Sequence, residues 1–430
     1  MTMKVLMFGW EFPPHITGGL GTACYGLTKS LASLNDIDLT FVVPKAYGDE
    51  LKHNMKLVGA SDVPISKKIM EKQLKLERQK FYQFNQAVTS YTTPEQYEKI
   101  LAEQKAFSED CLCKELPGKF QFCGQYGTTL FQEISRYGVV ASEISGNETY
   151  DIIHAHDWLT FPAGIQAKKA SGKPLIVHVH ATEFDRCGEK YNEKVFEIER
   201  MGMESADKVI TVSDFTRNIV INKYKIDPSK VVTIHNGVEP VGKEFLNCSP
   251  DIPMNDHVVT FLGRITKQKG PEYFVQAAFK VLQKMDNVRF VMAGSGDLQD
   301  SMVKFVARLK IADKFHFTGF LKGEDVFRMY AKSDLYVMPS VSEPFGISPL
   351  EAMQCNVPVI ISKQSGVSEV LKNVIKVDYW DIDSMADAIY GVLNYKSLGK
   401  MMKKGGMKEI GNLNWDKAAS KIKNIYDGVA

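Results

Sequence analysis

Short apolar runs, "KVLMFG", "LTFVV", "DIIHAH", "PLIVHVH", "KVITVS" and "VVTIHNG", alternate with segments of helical spacing. In "TACYGLTKSLASL", Ala23, Leu27, Leu31 and Leu34 form one helical stripe. Runs without polar alternation are buried on both faces. When such strands alternate with helices, they build a parallel sheet covered on both sides. Near residue 240 the rhythm pauses at "EPVGKEFLNCSPDIPMNDH", a linker composition. A second series follows: "HVVTFLGR", "VRFVMAGSG", "KFHFTGF", "DLYVMPS", "VPVIISK" and "VIKVD". At 430 residues the chain is also too long for one ordinary core. The expected fold class is α/β: two doubly wound parallel-sheet domains, residues 1–245 and 255–410, facing a cleft. The last stretch, 412–430, reads as an amphipathic helix with Trp415, Ala418, Ile422 and Ile425 on one face, packing back on the first domain. Residues 64–116 break the rhythm, being charged and helical in pattern. They read as a helical insertion in the first domain, a solvated excursion more than a partner site.

Bulk properties exclude several classes. Net charge is +2, so no basic field calls for nucleic acid. The seven cysteines are odd in number and scattered without a CxxC, which suits reduced thiols and neither a disulfide framework nor a zinc site. No apolar run approaches the roughly 18–20 residues that span a bilayer. "MTMKVLMFGWEFPP" reads as a first strand, not a signal peptide, and the expected location is the cytoplasm, with peripheral membrane contact left open.

In open α/β sheets ligands bind beyond the carboxyl ends of the strands. The unusual residues fall there: "HAHDW", "HATEFDR", "GRITKQKG", "AGSGD", "FTGF", "SEPFG" and "KQSGVSE" each follow an apolar run. "ITGGLGT" is a glycine loop entering a helix, whose free N–H groups suit an anion. It is not GxGxxG, and "GRITKQKG" is not a Walker A loop, so a nicotinamide dehydrogenase or a P-loop ATPase is not expected. Arg264 and Lys269 supply two cations suited to a diphosphate. His154 with His156, and His178 with His180, share strand faces and raise a metal reading. The competing reading buries His154 and His178 with partners and lets His156 or His180 line the cleft. In "SEPFGISPLEAM" two acids, Glu343 and Glu351, stand astride a turn. Ser348, Pro349 and Glu351 also spell a capping box, a purely structural account of Glu351.

Taken in order, the glycine loop, "HAHDW", "HATE", "GRITKQKG", "AGSG", "FTG" and "SEPFGISPLEAM" resemble the retaining glycosyltransferases of GT-B architecture, with two Rossmann-like domains. The likeness is to the starch/glycogen synthases and the family 4 group beside them. It covers nearly the whole chain and is weakest over 48–145. It implies that Gly18 and Gly19 line donor phosphates and acceptor, that Asp157 faces the acceptor side, and that His180 lies near the transferred sugar. It further implies Arg264 and Lys269 on the diphosphate, Gly294, Gly296 and Phe320 around the nucleotide, and Phe345 within the donor loop. Glu343 would meet the sugar hydroxyls, Gly346 and Ile347 would offer N–H groups to phosphate, and Glu351 would hold the ribose.

The implied activity is metal-independent transfer of a hexose from a nucleotide sugar to a glycan acceptor. Glucose and an α-glucan are the first expectation, with the donor a substrate and no further cofactor. Alternatives are a family 4 enzyme acting on another glycan or a small sugar, a metal-dependent hydrolase, and a non-catalytic glucan-binding protein. Many bacterial starch/glycogen synthases carry Lys-x-Gly-Gly in the first loop and lack the second glutamate. Here Ile16 takes the lysine's place and Glu351 is present, which moves the resemblance toward the broader family 4 group.

Overall fold

The computed structural model describes residues 2–16, 18–51, 53–80, 118–124, 126–127, 129–242 and 256–430. The chain divides into two compact units: Met1–Gly237 with Trp415–Ala430, and Val238–Asn414. In the first, strands β1 (Met3–Phe8), β2 (Ile37–Val43), β3 (Lys56–Gly59), β4 (Ile152–His156), β5 (Leu175–Val179), β6 (Lys208–Thr211) and β7 (Val231–Thr233) form one sheet. Their order is β3-β2-β1-β4-β5-β6-β7, and every pairing is parallel. Every residue of β4 and of β5 is buried, as expected of strands covered on both faces.

The helix Leu130–Asn147 is fastened to this sheet through Tyr137. Its hydroxyl donates to the carbonyls of Gly9 (3.1 Å) and Val42 (2.7 Å) just beyond β1 and at the end of β2, and its ring meets those of Phe8, Trp10 and Phe122 edge-on. The helix Trp415–Val429 packs on the helix Gly19–Ala32, with Ser30 Oγ donating to Asp416 Oδ1 (2.8 Å) and Lys423 Nζ 3.1 Å from Asp36 Oδ2. Its buried face is Trp415, Ala418, Ala419, Ile422 and Tyr426. Ile425, expected on that face, is only partly covered, and Tyr426 takes the place because it reaches His154. Of the expected insertion, Lys67–Lys80 is a helix held by Glu77, which ion-pairs with Arg136 at 2.9 Å. Residues 81–116 of it lie outside the described residues, as do 243–255 of the expected linker.

The second unit repeats the plan. Strands β8 (His257–Leu262), β9 (Val288–Ala293), β10 (Phe315–Gly319), β11 (Leu335–Met338), β12 (Val359–Ser362) and β13 (Ile375–Val377) run in the order β10-β9-β8-β11-β12-β13, again all parallel. Both sheets therefore reverse their strand order once, beside their first strand. That is the doubly wound, Rossmann-like arrangement, and crossover loops diverge at the reversal to leave a crevice. Among the described residues no helix is long and apolar enough to cross a membrane.

Candidate active site

In the C-terminal unit the reversal lies between β8 and β11. The loops leaving these strands are "GRITKQKG" and "PSVSEPFG", and they are fastened together. Lys269 Nζ lies 2.5 Å from Glu343 Oε2, which also accepts from Ser340 Oγ at 3.2 Å. Gln268 joins in, donating Nε2 to the Ser342 carbonyl (3.1 Å) and accepting at Oε1 from Arg264 Nη2 (3.3 Å), while Val341 N donates to the Gln268 carbonyl (2.9 Å).

Two neighbouring loops join the same end of the sheet. Ile265 N donates to Ser295 O (2.9 Å), and Gly294 N donates to Gly319 O (2.9 Å). A Cβ on Gly294 would stand 1.9 Å from the Gly263 carbonyl, and its φ is +134°, so only glycine lets these two loops meet. Gly296 belongs to the same loop. Phe320, just past β10, is 50% exposed, with the Lys322 ammonium 5.7 Å from its ring centre.

Beyond β11 the chain turns through buried Phe345 and through Gly346 at φ +100°. A side chain at 346 would press on Glu343 Cγ and Met338 at 3.2 Å. The helix Ser348–Gln354 follows. The expected capping box is not formed: the N-cap is Ile347, already helical at φ −79° and ψ −35°, and no side chain caps the turn. Ser348 sits inside the helix, where its carbonyl accepts from Tyr330 Oη at 3.1 Å. Glu351 thus loses its structural explanation. Its carboxyl has no hydrogen-bond partner among the described residues, and burial raises its pKa to about 7. The residue is half-buried, so its carboxyl keeps an opening through which a ligand's donors could reach it.

In the N-terminal unit the reversal lies between β1 and β4. Gly18 and Gly19 open the helix Gly19–Ala32, and a Cβ at either would meet nothing within 4 Å. Asp157, first residue after β4, has φ +59°, a left-handed backbone that Asp tolerates better than most residues. Its Oδ1 accepts from the backbone N–H of His180 (2.6 Å) and of Ala181 (3.4 Å). Burial raises this carboxyl to about 7, although Arg186 and those two N–H groups pull the other way. Asp157 therefore positions the backbone that carries His180.

Four imidazoles stand behind it. His154 stacks on His156 with ring centres 4.4 Å apart, and His178 on His180 at 4.3 Å. His154 Nδ1 shares a hydrogen bond with Tyr426 Oη (2.6 Å), and His156 Nδ1 shares one with His180 Nε2 (2.9 Å). His178 was expected to be buried with a partner, yet neither of its ring nitrogens has one among the described residues. Burial lowers all four pKa values, those of His154 and His180 to about 3, so the stack is neutral.

Ligand atoms of His154, His156 and His178, and of Cys24, His156 and His180, lie within 4.8 Å of one another. Two of these nitrogens are already engaged within the protein, His154 Nδ1 with Tyr426 and His156 Nδ1 with His180. His156 and His180 already share a proton.

Sequence reasoning missed the support beneath this loop. Arg186 is buried between Glu183, 2.9 Å from its Nε, and Glu199, which also accepts from Tyr224 Oη. The motif "HATEFDR" contains both Glu183 and Arg186, and their i, i+3 spacing was the available signal.

Known proteins match this picture. Residues 243–409 match the family model for glycosyl transferases group 1, and residues 130–241 that for glycosyltransferase family 4. An uncharacterized glycosyltransferase of Methanocaldococcus jannaschii, MJ1607, is 28% identical over 99% of this chain and 98% of its own. A UDP-Gal:alpha-D-GlcNAc-diphosphoundecaprenol alpha-1,3-galactosyltransferase of Escherichia coli is 28% identical over 65% of this chain and 76% of its own. Among solved structures, sucrose-phosphate synthase from Thermosynechococcus elongatus has a TM-score of 0.72 at 17% identity, covering 99% of this chain and 98% of that one. HepE of Anabaena, solved with UDP and glucose, has a TM-score of 0.67 at 16% identity, covering 99% of this chain and 100% of that one. The two family matches, joined to a fold of two parallel-sheet units, support a glycosyltransferase of GT-B architecture that uses a nucleotide sugar.

Proposed function

We propose that the protein is a retaining, metal-independent hexosyltransferase that moves glucose from a nucleoside diphosphate glucose to an α-glucan. The observation that carries this reading is the Lys269–Glu343 pair at the strand reversal, with the partnerless Glu351 carboxyl one helix turn beyond the same loop. A nucleotide sugar has a doubly charged diphosphate between two hydroxyl-rich rings. Arg264 and Lys269 neutralise the diphosphate. The acids would repel phosphate and so point past it: Glu343 accepts hydroxyls of the sugar, and Glu351 those of the ribose. Gly294, Gly296 and Phe320 border the base, and the N–H groups of Gly346 and Ile347 meet phosphate.

In the transfer the bond from C1 to the phosphate oxygen breaks and the bond from C1 to the acceptor oxygen forms. The acceptor attacks from the face the leaving group departs, so configuration is retained, and the acceptor proton passes to the departing phosphate. Charge grows on the leaving diphosphate, and fixed cations there lower the barrier electrostatically. His180, neutral and held by Asp157 and His156, lies near the transferred sugar, with Gly18 and Gly19 on the acceptor side. Glucose is favoured by the fold-neighbour HepE, which was solved with UDP-glucose. A second reading, another glycan acceptor, is favoured by Ile16 in the glycine loop and by the Escherichia coli relative, named for a diphosphoundecaprenol acceptor.

The test is nucleotide release from ADP-glucose, UDP-glucose and GDP-mannose, each with and without glycogen, in EDTA, with the anomeric configuration of the product read by NMR. Glycogen-dependent release from one glucose donor, with retention, is expected. Release that ignores glycogen would move the acceptor elsewhere, and loss of turnover in EDTA would overturn the metal-independent mechanism. No release from any donor would favour a non-catalytic glucan-binding protein.

A further inference from the structure

The helix Lys396–Ile410 of the C-terminal unit has two unlike faces. Inward, Met402, Gly406 and Ile410 are buried, and the helix packs on Ser348–Gln354, the helix that carries Glu351. Outward, Lys396, Lys400, Lys404 and Lys408 recur every fourth residue, all exposed. Met401 is 64% exposed and Met407 44%. At 3.6 residues per turn these six side chains occupy one arc of about 140°. Tyr395, 64% exposed, stands at the start of the helix.

No acid occurs in the sequence between Asp387 and Glu409. The Glu409 carboxylate is turned to the backbone N–H groups of Lys372 (2.7 Å) and Asn373 (3.0 Å), which brings exposed Lys372 to the end of the same helix. None of these lysines pairs with a carboxylate among the described residues, whereas Lys280, Lys284 and Lys363 of the same unit all do. A solvated lysine row does not require large apolar side chains beside it. A bilayer surface uses both.

We propose that this face docks the enzyme on a membrane surface rich in anionic phospholipid. The lysines meet headgroup phosphates, and Met401, Met407 and Tyr395 enter the headgroup–acyl boundary. A soluble polyanion would engage the lysine row without needing the apolar side chains. The inference goes beyond the proposed reaction and does not depend on its donor or acceptor.

The experiment is co-sedimentation of the full chain with phosphatidylcholine vesicles, pure or containing about one-third phosphatidylglycerol. The expected result is sedimentation with the anionic vesicles only, reversed by raising salt. Each lysine contributes about fivefold to affinity, so changing Lys396, Lys400, Lys404 and Lys408 together to Gln should weaken binding by two to three orders of magnitude. Met401→Ser with Met407→Ser should weaken it about tenfold. Circular dichroism and turnover with soluble substrates should be unchanged in both variants, which keeps this outcome separate from the fate of the proposed reaction. No sedimentation, equal sedimentation with neutral vesicles, or an unaffected quadruple variant would each overturn the proposal. So would an unaffected methionine pair in a protein that binds soluble inorganic polyphosphate as tightly as vesicles.

Discussion

At the point where strand order reverses, the N-terminal unit ties its charged groups to one another and leaves neutral imidazole nitrogens unpaired, while the C-terminal unit leaves a carboxyl, that of Glu351, without a partner among the described residues. Arg186 is shared by Glu183 and Glu199, Asp157 is used by the backbone of His180 and Ala181, and His156 holds His180. Across the chain, half-buried Glu351 has no partner, and Phe320 is half exposed. One strand plan carries two arrangements: in the first unit the polar groups set the geometry of a loop, and in the second the Glu351 carboxyl is left open, as the proposed donor site requires.

The largest expected effect tests the closed side. Arg186→Met leaves two buried carboxylates facing each other, and removing one partner of a buried charge cluster costs about 3–5 kcal/mol. Chemical denaturation should show that loss. A cost below about 1 kcal/mol would mean the network relaxes freely and does not hold the His180 loop. The open side should respond in the reverse manner. Glu343→Gln keeps the shape of a residue whose contacts are Lys269 and Ser340, so folding should survive. Turnover should fall by about 10²–10³, the usual loss when one preorganised electrostatic contact is removed. Unchanged kcat would remove Glu343 from the site.

Glu351 gives a smaller, pH-dependent effect. Its folded pKa, about 7, lies above the ordinary value of 4.5, so folding favours the neutral form. The stability held by that form is complete below about 4.5 and is lost as pH rises through about 7. Glu351→Gln keeps the neutral state at every pH. It should match the parent in thermal midpoint near pH 4.5 and exceed it near pH 8. Equal midpoints at both would show that water or a neighbour already satisfies the carboxylate.

The same contrast explains what the sequence could disclose. Strands such as β11 were legible because burial on both faces writes an unbroken apolar run. β3 was not, since its four residues at the sheet edge are mostly half covered or exposed. The motifs of the C-terminal unit lay at strand ends and so could be placed before any coordinates. The partners of the N-terminal side could not, because Tyr426 reaches His154 across 272 residues of chain and Arg186 reaches Glu199 across 13. Pairing over such distances leaves no local period. The amphipathic face of the last helix was misjudged by one residue, Ile425 for Tyr426, for the same reason: a distant imidazole selected the buried position.

Two serines at helix starts give the smallest and cleanest contrast. Ser213, in the N-terminal unit, has extended backbone at φ −160° and ψ 163°, and its Oγ accepts from Thr216 N at 3.0 Å. That is a working N-cap, because the residue's own backbone lies outside the helix while its side chain satisfies a free N–H. Ser348, with Pro349 and Glu351 after it, also reads as a helix start, but the N-cap there is Ile347, already helical. Its hydroxyl caps nothing. Ser213→Ala should therefore cost about 1 kcal/mol in denaturant unfolding, and more if the buried Thr216 N–H finds no other acceptor. Ser348→Ala removes a side-chain hydrogen bond to Tyr336 but no cap, and should cost about 0.5 kcal/mol, less than Ser213→Ala. If the two losses were equal, Ser348 would be capping after all, and Glu351 would regain a structural role that competes with ligand binding.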